Sequence, residues 1–386
     1  MNAKPEPLIQ DEYTGEPATK RTLAHLQKKR EQGKKIAGIY CGYAPVELIR
    51  AMDIVPAALC AFSHKTIEAA EAILPANLCP LIKSSFGFII TDTCPFYGIS
   101  DVVIGETTCD GKKKMFELIK ERKPTHIMDL PQLPDEAEAL ANWTVMIRKL
   151  QKFLEDVFKT KATEEQIEAA IKDTNHKNKM MRKVIGFAAL NPPVVGRLEI
   201  YDLAHLSHGA TGKEMEPILI EAIKKLEERR AAGYTYGPDG APRVMVTGCP
   251  FGGDVQKVLN VIEETGGVIV ALEACSGYKP FMLDIEEDTG DPIRALAERY
   301  LKIPCSCMTP NTRRLTEISR MIDMFKPDAV VDLVLQACHS FNIESYKLGE
   351  HAQKNHNLPF LKIVTDFSQS DVGQIRTRVE ALLESC

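Results

Sequence analysis

No apolar run in this chain comes near the roughly 18 residues needed to cross a bilayer, and the opening residues MNAKPEPLIQDEYTGEP lack the apolar core of a signal peptide. These two absences predict a cytoplasmic protein with no membrane partner. Charge of one sign is also scarce: the net charge of −5 over 386 residues argues against a general nucleic-acid binder. The lysine runs Lys28-Lys29-Arg30 and Lys112-Lys113-Lys114 are too short to change that. The chain has no C-x-x-C pair, its nearest approach being Cys305-Ser306-Cys307, so the usual spacing of structural zinc is missing. Neither the dinucleotide fingerprint nor a P-loop lysine is present. The turn Gly248-Cys249-Pro250-Phe251-Gly252-Gly253 follows a strand and precedes a helix, a place where an anion can rest. It carries neither nucleotide signature, so the glycines read as turn residues.

What is abundant is cysteine. There are eleven, an odd number that suits a disulfide framework badly, and in a reducing compartment they suggest metal or redox chemistry. Cys41, Cys60, Cys109, Cys249, Cys275 and Cys338 fall where short apolar runs stop or just beyond, and Cys305 and Cys307 lie in the loop Ile-Pro-Cys-Ser-Cys. Runs of this length alternating with helical stretches read as buried parallel strands. Ligands bind outside the carboxyl ends of such strands. The length exceeds what one core supports and predicts several domains. Residues 1–35 read as a helical lead-in and 36–134 as a first α/β domain with strands at IAGIY, VPAAL, DVVIGE and His126–Leu130. Residues 135–240 read as a helical linker region and packing or dimer surface. Residues 241–386 read as a second α/β domain with strands RVMVTG, GVIVAL, DAVVDLVLQ and PFLKIV. The predicted class is α/β, with two Rossmann-like or flavodoxin-like parallel-sheet domains and a helical segment between them. Their common layout suggests an internal duplication.

Two facing units with thiols at their strand ends would form a cleft with sulfur on both walls. Cys79, Cys109 and Cys338 make one candidate triad, and Cys41, Cys275 and Cys307 a second, each drawing on both units. Three thiolates on a four-iron cubane leave one iron open for chemistry, as three protein ligands do at catalytic zinc. Cys249 and Cys305 are reserve ligands. Cys60 and the terminal Cys386 read as small hydrophobes, and Cys94 as structural. Lys83, His339, the pair Ser84-Ser85 and the pair Thr107-Thr108 lie close to cysteines, where they could bond to cluster sulfur or supply protons. Glu47 follows Cys41 at a helix start, a dipole-favoured carboxylate position and a candidate proton relay. Lys83, His339 and Glu47 are the expected catalytic groups.

Several motifs resemble one family. Tyr40-Cys41 followed by Pro45-Val46-Glu47, Thr107-Thr108-Cys109-Asp110-Gly111-Lys112, Gln336-Ala337-Cys338-His339, and Asp371-Val372-Gly373-Gln374 with Thr377-Arg378 resemble the 2-hydroxyacyl-CoA dehydratase and benzoyl-CoA reductase family. The cysteines in Asn77-Leu78-Cys79-Pro80, Gly248-Cys249-Pro250 and Cys305-Ser306-Cys307 resemble its double-cubane branch. The resemblance implies a double-cubane cluster of about eight irons and nine sulfides, held by six cysteines. It further implies a homodimer that takes electrons from an ATP-hydrolysing iron–sulfur reductase and reduces small unsaturated molecules such as acetylene. On this resemblance Cys79, Cys109 and Cys338 match the family's three-cysteine pattern. The alternatives are a dehydratase subunit carrying one four-iron, four-sulfur cluster, and an electron-storage or cluster-transfer protein without turnover.

Overall fold

The structure, a computed structural model, describes residues 5–386; the first four residues of the expected lead-in lie outside that range. The chain opens with helix α1 (Ala18–Glu31). The first sheet unit then runs β1 (Lys35–Ile39), α2 (Val46–Ala51), β2 (Ile54–Ala58), α3 (Ile67–Glu71), α4 (Pro80–Ile90), α5 (Pro95–Ile99), β3 (Val102–Glu106), α6 (Asp110–Lys120) and β4 (Thr125–Met128). Four helices follow: α7 (Ala139–Phe158), α8 (Glu164–Gly186), α9 (Arg197–Gly209) and α10 (Gly212–Ala231). The second unit is β5 (Arg243–Gly248), α11 (Gln256–Glu264), β6 (Val268–Glu273), α12 (Pro292–Leu301), α13 (Thr312–Phe325), β7 (Ala329–Leu335), α14 (His339–His356), β8 (Phe360–Thr365) and α15 (Val372–Leu383).

The expected architecture is present: two parallel sheets of four strands, ordered β2-β1-β3-β4 and β6-β5-β7-β8. Both orders are the same permutation of chain order, so the common layout extends to topology. Strands β3, β5, β6 and β7 are buried at every residue, as sheets covered on both faces require. In each sheet the order reverses beside the first strand, which places switch-point crevices between β1 and β3 and between β5 and β7. The fourth strand covers Thr125–Met128 rather than His126–Leu130. Its end is set by Thr107, whose hydroxyl donates to Asp129 and accepts from the Leu130 N–H, both at 2.9 Å.

The helical region is wrapped around both sheets. Helix α7 packs on β4 and on α12, α8 on α2 and α10, and α9 on α1, β2 and β6. Helices α8 and α10 each start with a capping box, Thr163 with Gln166 and Thr211 with Glu214. Trp143 of α7 is fully buried and meets Tyr43 edge-on, ring centres 6.3 Å apart. One continuous apolar core contains residues of both sheet units and of α8, α9 and α10, from Leu8 to Leu382. A second core joins α2 and α7 to α12. Sharing of cores ties the two units together around the crevices.

The glycine turn after β5 serves this union. Gly248 has φ +115°, and a Cβ there would lie 2.1 Å from the Leu333 carbonyl oxygen. Only glycine fits that approach. Farther on, the Asp254 N–H donates to the Phe62 carbonyl at 2.8 Å, and Asp254 Oδ2 accepts from the His64 N–H at 2.7 Å. The turn therefore clasps the loop after β2.

Candidate metal centre and its cavity

Three of the cysteines in the expected sets occupy helix N-cap positions: Cys79 before α4, Cys109 before α6 and Cys338 before α14. Pro80, directly after Cys79, presets the first helical residue. The positive end of a helix favours thiolate over thiol. The Cys109 Sγ accepts the Lys112 N–H at 3.5 Å. Helices α4 and α6 approach head to head, since a Cβ on Gly111 would meet Leu78 and Ile82. Cys109 is exposed at that junction, whereas Cys79 is buried.

Cys338 hydrogen-bonds with the thiols of both Cys249 and Cys79, which draws it well below the ordinary cysteine range. Those two neighbours are raised in turn, Cys79 chiefly by Cys338 and Cys249 chiefly by burial. The first group in space is thus Cys79, Cys249 and Cys338, with Cys109 on the adjoining helix. Cys249 is held there by its backbone N–H on Leu333 at 2.7 Å, and its Sγ accepts the Leu335 N–H at 3.3 Å.

The second group lies across the crevice. Cys41 follows β1 and Cys275 follows β6; both are half-buried and lie close to each other and to the buried Cys305. Cys307 hydrogen-bonds to Cys305, lowering the Cys305 thiol and raising its own. The Tyr43 hydroxyl lies 3.8 Å from the Cys307 Sγ. Lys279 reaches this group from below, paired with Glu273 at 2.6 Å and donating to the Pro304 carbonyl at 3.1 Å. The two groups are joined where Ser306 meets Ser340 at 3.1 Å. Among the described residues, no three Cys, His, Asp or Glu side chains gather at the spacing of a single-ion site.

A cavity of about 500 Å³ opens beside the second group, with Cys41, Cys60 and Cys275 in its wall. Lys112 also lines it and is 9% exposed. Burial opposes its charge, but Cys41, Cys60 and Glu106 around it hold the ammonium above the usual lysine range. Glu106 ends β3 fully buried. Burial pushes its carboxyl up to about 7, against the pull of Lys112 and the Ala44 N–H. Its Oε1 accepts that N–H at 2.8 Å, and its Oε2 has no hydrogen-bond partner among the described residues.

The expected catalytic groups stand in different settings. Glu47 lines the cavity and accepts from the Tyr300 hydroxyl at 2.8 Å. His339 is the first residue of α14, exposed beside Cys338. Lys83 is buried, with its ammonium on Glu71 and on the Ala76 carbonyl, each at 2.7 Å. The hydroxyls of Ser84 and Ser85 accept the N–H groups of Ser63 and Ala61 at 3.1 Å each, shaping the loop after β2. Cys60 donates its thiol to the Tyr40 carbonyl at 2.9 Å, and Cys94 caps α5. Cys386, expected as a buried small hydrophobe, is exposed at the chain end. Glu106 is the polar group that sequence reading passed over, an acid closing the apolar run DVVIGE being the available signal; Lys112, read there only as part of a short lysine run and a motif, is buried.

The pattern of the family described as 2-hydroxyglutaryl-CoA dehydratase, D-component, matches residues 41–386. The chain belongs to that family. It is 42% identical over 357 residues, 92% of each chain, to YjiM of Escherichia coli (strain K12), whose name gives it as a dehydratase subunit. It is 24% identical over 388 residues to the beta subunit of (R)-2-hydroxyglutaryl-CoA dehydratase from Acidaminococcus fermentans, covering 97% of this chain and 98% of that one. No helix among the described residues is long and apolar enough to cross a membrane.

Proposed function

We propose that this chain is the cluster-bearing component of a reductase. In this reading it holds a double-cubane centre of about eight irons and nine sulfides and reduces small unsaturated, acetylene-like molecules. Its electrons come at low potential from an ATP-hydrolysing iron–sulfur partner, and the working form is a homodimer. The observation that carries the reading is the convergence of thiols from both sheet units on one crevice.

The donor set fits sulfur-ligated iron on three counts. The thiols come in two groups rather than one, joined at Ser306 and Ser340. Three occupy the N-cap positions of helices α4, α6 and α14. Lys112 and Lys279 lie close enough to pull the neighbouring Cys41 and Cys275 thiols downward, offsetting anionic sulfur. Cys79, Cys109 and Cys338 would hold one half and Cys41, Cys275 and Cys307 the other, with Cys249 and Cys305 beside them. Such a centre, when bound, supplies one-electron transfer at low potential.

The chain's own groups do the rest. Cys338 and Cys305 give up their protons first, because neighbouring thiols donate to them. Lys112 keeps its charge against Cys41 and Cys60. Glu106, buried beside Lys112, holds a proton to about pH 7, a range suited to proton donation. Glu47, in the cavity wall, is fixed by the Tyr300 hydroxyl.

A second reading is a dehydratase subunit with a single four-iron cluster, favoured by the names of both relatives. An electron-storage or cluster-transfer role without turnover is the third. Anaerobic iron loading of Cys338→Ala and Cys41→Ala, with Cys386→Ala as control, tests the ligand sets. Each of the first two should lose about half the iron or more, and the control none. Full iron in both variants would overturn the assignment.

A further inference from the structure

The cavity wall farthest along α8 and α9 is built from buried nitrogen. Lys177 and Asn178 of α8 are 5% and 3% exposed, and both line the cavity. The Lys177 ammonium has a single hydrogen bond, to the Ser207 carbonyl at 3.2 Å. The Asn178 side chain has none among the described residues. His205 and His208 of α9 line the same wall with their rings set edge to face, 6.3 Å apart. His205 uses Nδ1 on the Thr22 hydroxyl at 2.7 Å, and the His208 ring has no hydrogen-bond partner among the described residues. Behind them Arg50 donates to the Ser207, His208 and Ala210 carbonyls, while its buried Nε is unpartnered.

Charge on this wall is out of balance. The acids that face it are engaged elsewhere: Glu47 accepts from the Tyr300 hydroxyl, and Asp173 accepts the Gly212 and Lys213 N–H groups at the head of α10. Burial, with Arg50 alongside, holds the Lys177 ammonium well below the usual lysine range. The empty site thus favours the neutral amine, and an incoming carboxylate pairs with Lys177 as the amine takes up one proton from solvent. Most of the remaining lining is apolar, with Phe62, Phe88, Phe96, Phe251 and Phe281 in it; Glu47, Lys112, Lys279 and Arg299 also face the cavity. Its volume of about 500 Å³ lies in the range that takes whole organic ligands and far exceeds a two-carbon gas.

We propose that Lys177, Asn178 and His208, backed by Arg50, form the anchoring subsite for the carboxylate of an organic acid, whose apolar body lies across the phenylalanines toward Cys41 and Cys275. That the anchored molecule is the one reduced rests on the function proposed above. The subsite itself does not, because none of its residues is a candidate cluster ligand and it can bind without turnover.

Calorimetric titration of the full-length protein with cinnamate, cinnamamide and cinnamoyl-CoA tests the subsite. Cinnamate should bind about tenfold or more tightly than its neutral amide, the loss expected when a charged hydrogen bond is replaced by a neutral one. Lys177→Met should erase that preference while leaving cinnamamide binding unchanged. Asn178→Leu provides a second variant should the first fail to fold, and it should weaken cinnamate several-fold. Equal binding of acid and amide, binding of the thioester alone, or full cinnamate affinity in a folded Lys177→Met protein overturns the proposal. Iron analysis of the same samples separates the two ideas. Acid-selective binding without iron leaves the subsite standing and removes the cluster, and iron without acid preference does the reverse.

Discussion

Replacing Arg314 by methionine removes the centre of a buried ion network beneath the thiols. Arg314 and Glu273 are each 1% exposed and 3.2 Å apart. The same guanidinium donates to the Thr247 hydroxyl at 2.9 Å, pairs with Glu344 of α14, and lies over the Phe341 ring at 4.9 Å. It thereby ties β5, the end of β6 before Cys275, and the helix that starts at Cys338. Burial opposes ionisation of Glu273, but Arg314 and Lys279 together hold its carboxyl below the usual range. Without Arg314 two carboxylates keep partial partners, Lys279 for Glu273 and the Asn311 amide for Glu344. Breaking one partner out of a buried pair costs about 3–5 kcal/mol, and the lost ring contact adds about 1 kcal/mol. Surviving partners place the expected loss near the lower figure, about 3 kcal/mol. The assay is urea unfolding of the reduced, metal-free protein, followed by far-ultraviolet circular dichroism. Arg320→Met, which breaks an exposed pair with Glu317 one turn away, is the control and should cost under about 0.5 kcal/mol. A loss below about 1 kcal/mol for Arg314→Met, or one no larger than the control's, would refute the network's role.

Asp332, in the buried strand β7, should make stability fall with rising pH. Burial lifts its carboxyl from 3.8 to about 6, with Arg314 pulling the other way. The folded state therefore binds the proton more tightly than the unfolded chain. Its contribution to stability is full below pH 3.8, falls between there and about 6, and is gone above. The drop is on the order of 2–3 kcal/mol, and Asp332→Asn should remove that share of the slope in unfolding measured across the window, leaving the part from Glu106, which is raised from 4.5 to about 7. Gly248→Ala should lower the melting temperature sharply, since its Cβ would overlap the Leu333 oxygen at a φ of +115°; a cost of about 1–3 kcal/mol or more is expected, and an unchanged melting curve would count against the placement. Lys83→Met should destabilise through the lost Glu71 pair, and if Lys83 is instead a proton donor, turnover will fall with little change in melting.

Much of the fold was legible because buried parallel strands leave unbroken apolar runs, and VVIGE, RVMVTG and AVVDLVL all became strands within a residue or two of the expected bounds. The ends were less so, as Thr107 cuts β4 short from a distant loop. That the helical region shares its cores with both sheets was hidden for the same reason. Amphipathic periodicity shows that α7 has a buried face, but not that α12 covers it. Thiols could be counted at strand ends, yet their grouping depends on which crevice each loop enters, and the Cys249 contact with Cys338 spans most of a sheet unit. Lys83 looked free beside Cys79, and only the fold brings Glu71 to it. Lys177 and Arg50 carry no local mark at all; their cavity exists only when α8 packs on α2 and α9 on β2.

Iron and acid-labile sulfide per chain, measured on protein purified without oxygen, tests the central reading most directly. About eight irons and slightly more sulfide are expected from two joined cubanes, and about four from the single-cluster alternative. A preparation that is folded and reduced yet holds only zinc, or no metal after anaerobic loading, would contradict it.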